Sequence, residues 1–164
     1  MEFEQTLQQE ASPQDVEAFI RATIEGERNR VATLANVSAI MNQYLARINW
    51  VGFYLRVDEN TLVLGPFQGR VACTRIRAGQ GVVGRCAQKG QTLIVPNVFE
   101  FPGHIACDSQ SRSEIVVPIV SAKHVAAVLD VDAPEFDRFQ VLEQSLLERI
   151  ARMLGENWDF MTDD

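Results

Sequence analysis

Cationic clusters, long apolar runs and phosphate-binding glycine loops are what this 164-residue sequence lacks. Fifteen Lys and Arg stand against 22 Asp and Glu, a net charge of −7. Nucleic-acid binding needs clustered cations that displace counterions, so no nucleic-acid partner is expected. No apolar run approaches the roughly 18–20 residues that cross a bilayer. The first ten residues, MEFEQTLQQE, lack the charged start and apolar centre of a secretory signal. Neither a phosphate loop nor a nucleophile-elbow serine is present. Gly79-Gln80-Gly81-Val82-Val83-Gly84 matches the glycine spacing of a dinucleotide loop only in part, and follows no clear strand. The two histidines, His104 and His124, lie far apart without clustered thiols, which argues against zinc; His124, beside Lys123, reads as a hairpin turn residue. Three cysteines cannot all pair within one chain. A soluble, acidic protein of the reducing cytoplasm, with no membrane partner, is predicted.

With 46% hydrophobic and 23% charged residues, the composition is ordinarily globular and the length suits one domain. We expect an ordered core over about 12–154 and a loosely held tail over 155–164. Ser12-Pro13-Gln14-Asp15 is a helix start, with serine as cap, proline at the first position and an acid in the first turn. A second helix is predicted from about Glu27 to Ile48, where Val31, Leu34, Val37, Ile40, Met41, Tyr44, Leu45 and Ile48 recur at three and four. The pattern then turns to strands: Trp50–Leu55, closed by Asp58-Glu59-Asn60, then Thr61–Leu64, Thr92–Val95, Ile115–Val120 and Val125–Val131. Gly81–Gln88 reads as a short helix between glycines, and 97–113 as a long functional loop. A last helix is predicted over 138–154, capped at Asp137 or Gln140, with Leu142, Leu146, Ile150 and Met153 on one face. This order describes an α+β domain, a largely antiparallel sheet with helices on one face.

Two groups of residues carry chemical interest. Cys107 lies in a polar loop with His104 and Arg112. It reads either as an inert packing thiol or as a reactive one favoured by nearby cations. Asp130 and Asp132 flank Val131 at the end of an apolar strand, and strand alternation points both carboxylates to the same face. They are either a strand end turning into solvent or part of a site. Should Glu114 converge on them, like-charge crowding would raise at least one pKa and keep an acid protonated near neutrality.

The segments NWVGFYL (49–55), LGPFQGRVAC (64–73), GHIACDSQSRSEIVVPI (103–119) and VLDVDAPEFDRF (128–139) resemble the free methionine-(R)-sulfoxide reductases, stand-alone members of the GAF-domain superfamily. The resemblance runs from about residue 20 to 154. It implies a GAF-like fold, a six-stranded antiparallel sheet backed by helices, and a homodimer. It implies Cys107 as the catalytic cysteine and Cys73 as the resolving one, with Glu114, Asp130 and Asp132 as substrate-binding carboxylates. Trp50 and Tyr54 match the aromatic wall of the substrate site. Where the family often has a third cysteine this chain has Val83; its own third is Cys86, three residues on, either a secondary resolving thiol or a small buried hydrophobe.

The implied reaction reduces the R-sulfoxide of free methionine and belongs to the response to oxidative stress. Cys107 attacks sulfur while a carboxylic acid, Glu114 or Asp132, protonates the departing oxygen. Asp130 holds the ammonium. The resulting sulfenic acid condenses to a disulfide that thioredoxin reduces, and no metal or organic cofactor is needed. The rival reading is a GAF module that senses a cyclic nucleotide or similar ligand without chemistry. An acidic pocket, which would repel a phosphate, weighs against it.

Overall fold

A computed structural model describes residues 11–105 and 107–164. Helix α1 (Pro13–Ile24) starts at the predicted cap, with Ser12 and Asp15 bonding each other's main-chain N–H. Helix α2 (Arg30–Tyr44) starts three residues later than expected. The reason is local: Glu27 turns its carboxylate back onto the N–H groups of Arg28 and Asn29, and Asn29 then caps the helix through Ala32 N–H. Tyr44 packs against the core as predicted, while Val31 faces outward.

The sheet follows as β1 (Trp50–Arg56), β2 (Thr61–Gly69), β3 (Arg75–Arg77), β4 (Leu93–Val95), β5 (Ser113–Ser121) and β6 (His124–Ala133). All pairings are antiparallel, in the order β3-β2-β1-β6-β5-β4. Helix α3 (Gly81–Lys89) lies between β3 and β4, and α4 (Val141–Glu156) follows β6. One correction concerns the layers. The apolar faces of α1, α2 and α4 share one core with Val51, Phe53, Ile115, Leu129 and Val131. Helix α3 instead covers the opposite face, packing Val82, Val83 and Cys86 onto Trp50, Tyr54, Val116 and Val128. Both faces of the sheet are therefore occupied, and the alternating residues of β1, β5 and β6 divide between two cores.

A second correction concerns the hairpin of β5 and β6. Its turn residues are Ala122 and Lys123, both with positive φ, and His124 is the first residue of β6. A two-residue turn that pairs Ser121 with His124 would, continued without interruption, set Glu114 opposite Val131. An irregularity at Ile119/Val120 shifts the register by one, and Glu114 pairs with Asp132 instead. That shift decides which face each side chain occupies.

The third correction is the C-terminus. Helix α4 begins at Val141 after Gln140, whose N–H meets the Glu143 carboxylate; Asp137 has positive φ and donates to the Pro96 carbonyl. Leu142 is exposed, and the helix continues to Glu156 before a short 3-10 turn, Trp158–Phe160. Trp158 and Met161 belong to the main core. The Arg30 guanidinium lies over the Trp158 ring, and Thr162 exchanges main-chain hydrogen bonds with Arg28 and Arg30. The tail is thus docked rather than loosely held, because its alternating polar residues hid two apolar anchors. Trp158→Ala should lower unfolding free energy by about 3 kcal/mol, read by urea denaturation; a change below about 0.5 kcal/mol would restore the loose-tail reading.

Among the described residues, no helix is long and apolar enough to cross a membrane.

Candidate functional site

The corrected register builds the floor of the site. Glu114 on β5 pairs with Asp132 on β6, and Asp132 pairs with Trp50 on β1. One row along, Asp130 pairs with Gly52 on one side and Val116 on the other. Strand alternation brings Trp50, Tyr54, Glu114, Asp130 and Asp132 to the α3 face, where all five line one cavity. Gly52 is required between the aromatics: a side chain there would strike Phe67, whose ring stacks on Trp50 at 5.2 Å.

The sulfur half of the site comes from two loops. Cys73 follows β2 and Cys107 precedes β5, and the two form a disulfide with Cα atoms 5.6 Å apart. Cys107 also lines the cavity. Asn49, just before β1, steadies its loop by donating through Nδ2 to Asp108 Oδ2 and to Ser111 Oγ, each at 3.1 Å. Asn49, Asp108 and Ser111 were not singled out in the sequence. Asn49 sits at the head of the NWVGFYL segment and Asp108 directly follows the loop cysteine, but only the fold shows that they meet.

The carboxylates are crowded as well as buried. Glu114 and Asp130 are 5% and 6% exposed. Glu114, Asp130 and Asp132 place one oxygen each within 4.8 Å of one another, a set that could hold a cation. Burial first, and Asp132 second, push Glu114 up to about 8, against a hydrogen bond from Asp130. Asp130 is raised well above the usual carboxylate range by burial, by Glu114's charge and by donating its proton to Glu114. Asp132 is raised too, by burial and then by Asp130 and Asp108. Glu114 therefore keeps its proton at neutral pH, and like-charge crowding of the three raises at least one acid as expected. Asp130 Oδ1 is buried without a hydrogen-bond partner among the described residues.

Arg112 does not supply the cation expected beside Cys107, because its guanidinium lies over the Phe99 ring. Among the described residues, no lysine or arginine lines the cavity. His104 does line it, with Nε2 3.8 Å from Glu114 Oε2, and burial lowers its pKa, so the ring is neutral. The remaining positive pole is the start of α3. Gly81, Val82 and Val83 border the cavity there, and their N–H groups open the helix. Gly81 has positive φ, and any side chain at this position would press on Ile105.

Cys86 lies fully buried in the α3 core, and burial, then Asp130 and Glu114, raise its thiol pKa. It does not border the cavity. Peptide mapping of the oxidised Cys86→Ser variant should still find Cys73 joined to Cys107. A dominant Cys86–Cys107 bridge in the native protein would reverse the order of the two thiols.

Comparison with known proteins agrees with this geometry. The GAF domain family model matches residues 28–157. A free methionine-R-sulfoxide reductase of Escherichia coli is 45% identical over 140 residues, covering 85% of this chain and 84% of its own. That of Saccharomyces cerevisiae is 41% identical over 143 residues, covering 83% and 79%. The solved free methionine-R-sulfoxide reductase of Neisseria meningitidis, in complex with its substrate, superposes with a TM-score of 0.86 at 41% identity, covering 90% of this chain and 89% of that one. The chain belongs to the GAF domain family, in the branch that contains the free methionine-R-sulfoxide reductases.

Proposed function

We propose that this protein reduces free L-methionine (R)-sulfoxide to L-methionine, spending its own thiols and recovering them from thioredoxin. The observation that carries the reading is the Cys73–Cys107 pair set beside a cavity floored by three buried carboxyls, all with raised pKa values. A sulfoxide offers an electrophilic sulfur and a basic oxygen. Cys107 attacks the sulfur, and Glu114 or Asp132 gives a proton to the oxygen as the S–O bond of the substrate breaks. Water then takes the Cys107 sulfur and the new S–S bond breaks toward the substrate. Methionine leaves as the thioether, a proton returns to the acid and Cys107 is left as a sulfenic acid. Cys73 closes the disulfide with loss of water, and a dithiol reductant reopens it by exchange.

The rest of the substrate is a zwitterion, and the cavity has a place for each end. The unpartnered Asp130 Oδ1 suits the ammonium, and the opening N–H groups of α3 suit the carboxylate. Trp50 offers an apolar face to the S-methyl group. A cyclic nucleotide would meet three acids and, among the described residues, no lysine or arginine, which disfavours the ligand-sensing alternative. The reading includes a cytoplasmic enzyme, where thioredoxin is available, acting as a homodimer without a metal or organic cofactor.

The test is turnover of each epimer of free methionine sulfoxide by purified protein with dithiothreitol. The R epimer should be consumed and the S epimer spared; no R turnover, or equal use of both, would remove the function. Acylating the substrate nitrogen removes the charge that the carboxylates recognise and leaves a buried acid unpaired, a cost of about 1–3 kcal/mol. N-acetyl-methionine (R)-sulfoxide should therefore react roughly tenfold or more slowly than the free amino acid. Equal rates would show that the ammonium is not recognised.

A further inference from the structure

Two side chains of the aromatic wall are engaged with the main chain of the loop that carries Cys73. Trp50 Nε1 donates to the Arg70 carbonyl at 3.1 Å, and Tyr54 Oη donates to the Cys73 carbonyl at 2.9 Å. This loop, 70–74, joins β2 to β3, and its outer side is open: Val71 is 87% exposed. Beyond the cysteine, the Thr74 carbonyl accepts from Leu64 N–H. The loop is thus fastened along its inner edge, and the fastening nearest the sulfur is the Tyr54 hydroxyl.

We propose that Tyr54 is a positioning residue for the resolving thiol, its hydroxyl fixing the Cys73 main chain so that the Cys73 sulfur stands ready to meet oxidised Cys107. The inference rests on the reductase reading above and assigns Tyr54 to the second chemical step. In that step the Cys73 sulfur attacks the sulfur of the Cys107 sulfenic acid. An S–S bond forms, the S–O bond breaks, and the departing hydroxide takes the thiol proton to leave as water. Each sulfur ends in the disulfide, and no further oxidant is consumed. Such an intramolecular step depends on how well the partners are held, and a misplacement of about 1 Å costs on the order of 100-fold.

The ring and the hydroxyl of Tyr54 have separable tasks. The ring is buried and stacks beside Trp50, with centroids 6.1 Å apart, as a wall residue should. The hydroxyl has one proton, and it is given to the Cys73 carbonyl rather than to the cavity. Burial, then the charges of Asp130, Asp132 and Glu114, hold the phenol in its protonated form, so this donor persists across working pH.

The experiment is a single turnover of the reduced full-length protein with excess free methionine (R)-sulfoxide and no reductant. Methionine release, dimedone-trapped sulfenic acid and loss of thiols are followed together in wild type, Tyr54→Phe and Cys73→Ser. In Tyr54→Phe the ratio of disulfide formation to methionine release should fall at least tenfold, with sulfenic acid accumulating as it does in Cys73→Ser. A wild-type ratio would overturn the proposal. So would equal slowing of both steps, which would make Tyr54 a substrate residue alone. If wild type releases no methionine, the reductase reading itself fails. Amide exchange of residues 70–74 then tests the tether independently: faster exchange in Tyr54→Phe supports it, and unchanged exchange overturns it.

Discussion

Cys107→Ser should abolish turnover, a loss of roughly 10³-fold or more. A serine hydroxyl is a poor nucleophile toward sulfur, and Arg112, the cation nearest in sequence, is held over Phe99. Cys73 is not a substitute, since Tyr54 fastens its loop and it does not border the cavity. The comparison is with reduced wild type, because the variant cannot form the bridge and loses whatever stability the bridge confers. Release of methionine by a folded Cys107→Ser protein would end the assignment of the nucleophile.

The carboxylates should show the next largest effect. Glu114→Gln and Asp132→Asn keep the shape of the site but remove a transferable proton. Each should slow sulfenic acid formation by about 10²–10⁴-fold, the usual worth of a positioned acid. Glu114 retains its proton up to about pH 8. The rate should therefore fall as pH rises through that value, and the alkaline limb should vanish in Glu114→Gln. The same proton affects stability. Glu114's folded pKa lies above its unfolded one, so the protonated form stabilises the fold fully below about pH 4.5. That contribution is lost as pH rises through about 8. Denaturant midpoints of the reduced protein should decline over this window, and Glu114→Gln should flatten the decline. Wild-type rates in both variants would show that the oxygen is activated elsewhere.

Much of this site was legible because strand periodicity is strict. Asp130 and Asp132, two apart on an apolar strand, had to share a face, and they do. Their union with Glu114 was a condition rather than a deduction, because the turn at Ala122-Lys123 alone sets the wrong register and the shift at Ile119/Val120 has no local signature. The role of Cys73 came through the resemblance; no spacing rule joins residues 34 apart. Helix α3 on the far face was missed because a nine-residue helix with glycines at both ends does not announce which side of a sheet it covers. Arg112 was misread because sequence proximity to Cys107 says nothing about Phe99, the ring that holds it. The tail was misread because its two anchors, Trp158 and Met161, sit among polar residues that carry no helical period.

The acids stand on paired central strands, whereas both sulfurs stand on loops. Opening a central strand requires opening two cores, so its exchange-protected state approaches global stability, while loops open at far lower cost. The catalytic cycle therefore runs on a fixed electrostatic template with moving redox parts. Charge complementarity to the substrate is set once, at folding, and survives each making and breaking of the S–S bond. Only the loops need to relax between oxidised and reduced forms, and drift in loop sequence can retune the redox partner without disturbing the acids beneath.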